Sequence, residues 1–131
     1  MPLQEKKKLL VVDDERNVAD TLAAIFAVHG YECRVAYSAE EALQIVVQWA
    51  PALAIIDVIL PAMSGIDLAI LLGAEHPSIQ VLLMSGQFLT GTKLQEAAKH
   101  GHSFEILAKP VPVPEMLAAA AQRLAPPLQQ H

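Results

Sequence analysis

Cysteine is nearly absent from this chain: among 131 residues there is one, Cys33. A lone thiol forms no internal disulfide, so stability must rest on an apolar core. Cys33 itself, set among Tyr31, Val35 and Tyr37 in a β-like run, reads as a small core residue of a reducing compartment. Long apolar runs are missing too. None approaches the roughly 18 residues of a membrane span, and MPLQEKKK has no apolar stretch behind its positive charges, so neither a span nor a signal peptide is expected and the cytoplasm is the predicted location. Clustered positive charge is scarce. The formal charge is −5 and, apart from Lys6-Lys7-Lys8, the basic residues are scattered, which is no electrostatic footprint for direct nucleic-acid binding. No glycine-rich phosphate loop surrounds Gly86 and no internal repeat divides the chain. His29, His76, His100, His102 and His131 have no zinc-ligand spacing with one another or with Cys33.

What is present is a chain that is 53% hydrophobic, enough for one core in a single domain. Short β-like runs alternate with segments of helical period. The predicted strands are Leu9–Val12, Tyr31–Ala36, Leu53–Ile56 running into Asp57, Ile79–Met84 and Phe104–Ala108. The first predicted helix, Glu15–His29, carries Val18, Leu22, Ile25 and Phe26 on one stripe and is stopped by Gly30 in a left-handed conformation. Ser38 and Glu41, at capping-box spacing, open a second helix with Ala42, Leu43, Val46, Val47 and Trp49 on its apolar face, and Pro51 ends it. Helices are also expected over Ile66–Glu75, Gly91–His100 and Pro114–Leu124. Met63, Met84 and Met116 read as core fillers. Strict alternation of this kind favours parallel strands joined by right-handed helical crossovers. Five units are too few for an eightfold barrel, which leaves an α/β, flavodoxin-like doubly wound five-stranded sheet of order 2-1-3-4-5 with five helices.

In such a sheet the C-terminal strand ends line one edge, and ligands bind in the crevice there. Strand one delivers Asp13 and Asp14 to it, strand three Asp57, strand four Ser85 and strand five Lys109. Each has a bland reading alone: the acids after strand one as a helix N-cap, the others as turn, loop and solvated charge. Their conjunction at four strand ends points to a site. Three carboxylates gathered within roughly 5 Å repel by on the order of 3 kcal/mol per pair at an effective dielectric near 20, a repulsion that a divalent cation relieves. Glu15 is expected to be the first residue of helix one, favoured by the dipole and not by a metal.

These residues carry a resemblance to a known family. LLVVDDE resembles the first strand and acidic pair of the receiver domain of two-component response regulators, a family that includes the single-domain chemotaxis regulator. LAIIDVILPAMSGIDL is similar to its phosphoacceptor segment, with Pro61 and Gly65 following Asp57, and VLLMSG and ILAKP are similar to its fourth and fifth strands. The resemblance spans residues 7–124 as one receiver domain, with 125–131 as a short tail or the start of a linker through Pro126-Pro127.

It implies a phosphoacceptor signalling domain, not a conventional enzyme. Asp57 takes a phosphoryl group from the phosphohistidine of a sensor histidine kinase or phosphotransfer protein. Asp13, Asp14, Asp57 and the backbone carbonyl of Ile59 hold Mg²⁺, Ser85 and Lys109 hold the phosphoryl oxygens, and Ile59 and Gln87 tune its lifetime. It also implies a cis bond before Pro110. Its output surface is the fourth helix, fifth strand and fifth helix, toward an unidentified output partner, a missing output domain or a second copy. Three features depart from the family pattern: Ile106 stands where an inward-turning aromatic is common, with Phe104 one pleat back; Val111 replaces a frequent Phe; and the segment between Ser85 and Lys109 is one residue longer. The rival readings are an Asp-nucleophile hydrolase, which usually places a second acid two residues after the nucleophile where this chain has Ile59, and a receiver reduced to a binding module, against which all five site side chains argue.

Overall fold

A computed structural model of the chain describes residues 6–86 and 104–125. Its elements are β1 (Lys8–Val12), α1 (Arg16–Val28), β2 (Glu32–Ala36), α2 (Ala39–Gln48), β3 (Leu53–Asp57), α3 (Gly65–Glu75), β4 (Gln80–Ser85), β5 (Glu105–Ala108) and α4 (Val113–Leu124). The expected helix at 91–100, Gln87, His100, His102, Pro126-Pro127 and His131 lie outside the described residues.

The five strands pair in parallel in the order β2-β1-β3-β4-β5, as expected for an α/β, flavodoxin-like doubly wound sheet. Apolar runs become strands here because both faces of the sheet are covered. Leu10, Val12, Ala54, Ile56, Val81 and Leu83 join Ala42, Val46, Ile66 and Leu72 of α2 and α3 in one cluster. Leu9, Val11, Leu53, Ile55, Leu82 and Met84 join Phe26 of α1 with Met116 and Ala120 of α4 in the other. The alternation along each strand sorts neighbours to opposite sides. Phe104 and Ile106 share the α2 and α3 side, as their spacing requires. Cys33 packs against the opposite cluster, where burial first and the Glu32 charge second push its thiol up to about 11.

The helix ends follow local chemistry. Gly30 takes φ +96 behind α1. Ser38 caps α2 by accepting from the Glu41 N–H at 3.1 Å, and the Glu41 carboxylate reaches back to the Tyr37 N–H at 3.0 Å, one residue further out than a reciprocal capping box places it. Ser64 caps α3 in the same manner through the Asp67 N–H at 3.1 Å.

Two readings are corrected. Glu15 is not the first residue of helix one: it is the N-cap of α1 in extended conformation, because its N–H is held by the Asp13 carboxylate at 3.0 Å and the chain turns into helix only afterwards. Val47 is not on the apolar face of α2, being 75% exposed, since its neighbour Val46 takes the core position a third of a turn away.

Candidate functional site

Parallel register brings the site together. Leu9–Val12 pairs with Leu53–Ile56, so Asp13 and Asp57, each one step further along, emerge side by side. Asp13 is anchored from the other side as its N–H donates to the Ala36 carbonyl of β2 at 3.1 Å. One carboxylate oxygen from each of Asp13, Asp14 and Asp57 lies within 4.8 Å of the others. Asp13 and Asp57 are buried while Asp14 is exposed, so the group has an inner wall and an open side.

Ser85 is the last residue of β4 and is buried. Its carbonyl accepts the Lys109 N–H at 2.8 Å, which carries the lysine beyond the end of β5 to the same edge. Gly86 lies against the Lys109 methylenes, with 3.7 Å to an added Cβ. The Lys109 ammonium then bridges two carboxylates, 2.7 Å from Asp57 Oδ2 and 3.0 Å from Asp13 Oδ2. The Lys109–Pro110 bond is cis. Ile59, half-exposed, donates its N–H to Asp57 Oδ1 at 3.0 Å, so both Asp57 oxygens are held in place.

The electrostatics follow from burial opposed by pairing. Burial pushes the Asp57 carboxyl up and Asp13 adds to that, while the Lys109 and Ile59 hydrogen bonds pull it down; the net direction is upward. Burial also works against the Lys109 ammonium, but its bonds to Asp57 and Asp13 outweigh it and raise it. The lysine keeps its charge at neutral pH and holds Asp57 as a carboxylate of raised basicity, a property suited to a nucleophile. An all-oxygen donor set with one open side fits Mg²⁺, a hard cation that retains several waters.

The β3–α3 connection supports Asp57 from beneath. The Gly65 N–H donates to the Val58 carbonyl at 2.8 Å, and a Cβ at Gly65 would stand 2.0 Å from the Asp57 carbonyl oxygen. Before it, Ala62 takes φ 67, a left-handed conformation that costs a residue other than glycine roughly 1 kcal/mol or more.

All five residues read from the sequence thus lie along one edge of the sheet. The brace beside them was not foreseen: the Tyr37 hydroxyl donates to Asp20 at 2.6 Å, and the Arg16 guanidinium stacks 4.1 Å from the centre of the Tyr37 ring. No motif announces it, because Tyr37, which follows β2, meets Arg16 and Asp20 of α1 only once the chain has folded.

Comparison with known proteins agrees with this geometry. The profile of the response regulator receiver domain matches residues 9–121. The chain is similar to the nitrogen assimilation regulatory protein NtrX of Azorhizobium caulinodans, 31% identical over 104 residues, covering 78% of this chain and 22% of that one. It is also similar to the phosphate regulon transcriptional regulatory protein PhoB of Pseudomonas aeruginosa, 33% identical over 75 residues, 57% of this chain and 33% of that one. The chain thus spans less than half the length of these curated relatives. Among solved structures, a CheY-like receiver domain protein of Methanospirillum hungatei superimposes with TM-score 0.84 at 25% identity, over 92% of this chain and 94% of that one. The receiver domain of an HD domain-containing protein of Pseudomonas fluorescens does so with TM-score 0.84 at 26% identity, over 92% and 95%. With the profile spanning nearly all of the sheet and its helices, the chain belongs to the receiver-domain family of two-component response regulators.

Proposed function

We infer that this chain is a phosphoacceptor switch in which Asp57 takes a phosphoryl group from the phosphohistidine of a sensor histidine kinase or phosphotransfer protein. The observation that carries the reading is the meeting of the Lys109 ammonium with Asp57 and Asp13, inside a group of three carboxylates. Mg²⁺, held by Asp13, Asp14, Asp57 and the Ile59 carbonyl, would offset charge on the phosphoryl oxygens. Asp57 attacks phosphorus, Lys109 pairs with the phosphoryl oxygens and Ser85 hydrogen-bonds them, which shifts the conformational equilibrium of the output side. Residues 7–124 form the receiver, with 125–131 a tail or linker start.

The domain itself contacts no nucleic acid in this reading and works in the cytoplasm. Its output is a change in affinity for a partner, an attached output domain or a second copy. The relatives' names, as a phosphate regulon transcriptional regulator and a nitrogen assimilation regulator, make a transcriptional pathway a reasonable setting.

The test is intact mass after incubation with Mg²⁺ and acetyl phosphate. The wild-type chain is expected to gain one phosphoryl group, and Asp57→Asn and chelated samples are expected to gain none. A wild-type chain that stays unmodified with every small donor and every histidine kinase tried would leave only the binding-module reading.

A further inference from the structure

The acidic run that ends β1 is only partly used by the site described above. Asp13 is buried and bonded to Lys109, and Asp14 belongs to the carboxylate group. Glu15 is left over. Its N–H is fixed on Asp13 at 3.0 Å, and Glu15 lines a cavity of about 480 Å³ together with Met84, Gly86, Lys109 and Met116. Glu15 therefore stands beside the crevice, in a neighbouring cavity that shares Lys109 with it, on the side of β4 and β5. The cation next to it in sequence is turned elsewhere, since Arg16 stacks on Tyr37. Lys109, which shares the cavity, is engaged by Asp13 and Asp57. Among the described residues no ion pair involves Glu15, so its charge acts on whatever enters.

We propose that Glu15 is a specificity-determining charge of the phosphorylation crevice: it holds back small dianionic phosphoryl donors and strengthens the hold on a divalent cation. The inference rests on Asp57 being the phosphoacceptor. In transfer from acetyl phosphate, an Asp57 carboxylate oxygen bonds to phosphorus while the bond from phosphorus to the acyl oxygen breaks. Acetate leaves with that electron pair, and no further reactant is needed. The donor arrives as a dianion, so a fixed negative charge within about a Debye length of its path lowers its local concentration several-fold. Phosphoramidate, protonated on nitrogen and carrying about one net negative charge, is affected about half as strongly on a logarithmic scale; there the phosphorus–nitrogen bond breaks and ammonia leaves.

Glu15→Gln and Glu15→Lys in the full chain test this, with initial rates from intact mass at saturating Mg²⁺ and with Mg²⁺ affinity from the cation-dependent rise in melting temperature. Glu15→Gln is expected to raise the acetyl phosphate rate by about two- to five-fold. Glu15→Lys should raise it further, phosphoramidate should gain less, and both gains should shrink at high ionic strength. Mg²⁺ affinity should fall by about two- to three-fold. Movement of donor rate and cation affinity in opposite directions separates a charge effect from damage to the fold. Unchanged rates and affinity, or equal gains for both donors that ignore salt, overturn the proposal. A wild-type chain that takes phosphoryl from neither donor refutes the Asp57 reading instead; the Mg²⁺ affinities then decide alone, a loss supporting the field of Glu15 and no change overturning it.

Discussion

Gly65 shows how a residue without a side chain can shape a site. Its spacing after Asp57 was legible as part of a family pattern, but the reason lies in three dimensions, where the first turn of α3 rests on the backbone of Asp57 itself. Gly65→Ala would drive a methyl against a carbonyl that belongs to β3 and cannot swing away. The expected loss is about 2–3 kcal/mol or more of unfolding free energy, the scale of overpacking against rigid structure. Urea unfolding measures it, and phosphorylation of the surviving folded fraction should slow because Asp57 must shift with its backbone. A variant as stable as wild type would mean that the β3–α3 connection yields easily. The same paired view applies to Lys109: strand ends located it in the sequence, whereas its double contact with Asp13 and Asp57 depends on a reach across the β1, β3 and β4 ends that one-dimensional spacing does not contain.

At the scale of elements, the strand and helix boundaries read from the sequence lie within a residue or two of the observed ones among the described residues, because caps and stops are local. Ser38 and Glu41 are the clearest case. Ser38→Ala is expected to cost about 1 kcal/mol, since the Glu41 N–H loses its acceptor at the start of α2, with the loss read as a lower urea midpoint at unchanged slope. What was not legible is orientation. Val46 and Val47 have the same chemistry, and only packing decides that one is buried and the other exposed. Val58 and Leu60, between the third predicted strand and the third predicted helix, belong to no periodic pattern, yet both are buried above the sheet edge, where they close the connection that leads to Gly65. Lys6, Lys7 and Lys8 gain an element-scale role as well. They lie at the start of β1, the edge at which the helices of a parallel sheet end, and α1, α2 and α3 have no basic residue in their last turns. Positive charge there complements the negative ends of those helices, which is the bland function that a basic run most often has.

Across the whole molecule, charge is arranged against stability. The fold buries its apolar strands on both faces and then places Asp13 and Asp57 at their ends with one lysine between them. Because burial raises Asp57 above an ordinary carboxyl, the folded state holds its proton more tightly than the unfolded chain does. Its contribution is therefore most favourable below the ordinary carboxylate range and is lost as pH rises from that range through the raised value. In chelator, Asp57→Asn should remove this loss while leaving Lys109 paired with Asp13. The variant is expected to exceed wild type in stability at neutral pH, and the gap should close as the pH falls into the ordinary carboxylate range. Added Mg²⁺ should reverse the order: under the proposed function it would bind the folded wild-type carboxylates and stabilise the fold by about 2.7 kcal/mol at a hundred times its dissociation constant, and it should do less for a variant that lacks one of them. Urea unfolding of both proteins across pH, with chelator and with Mg²⁺, checks each step. A gap that stays constant with pH would show that Asp57 carries no uncompensated charge, and that Lys109 alone balances the site.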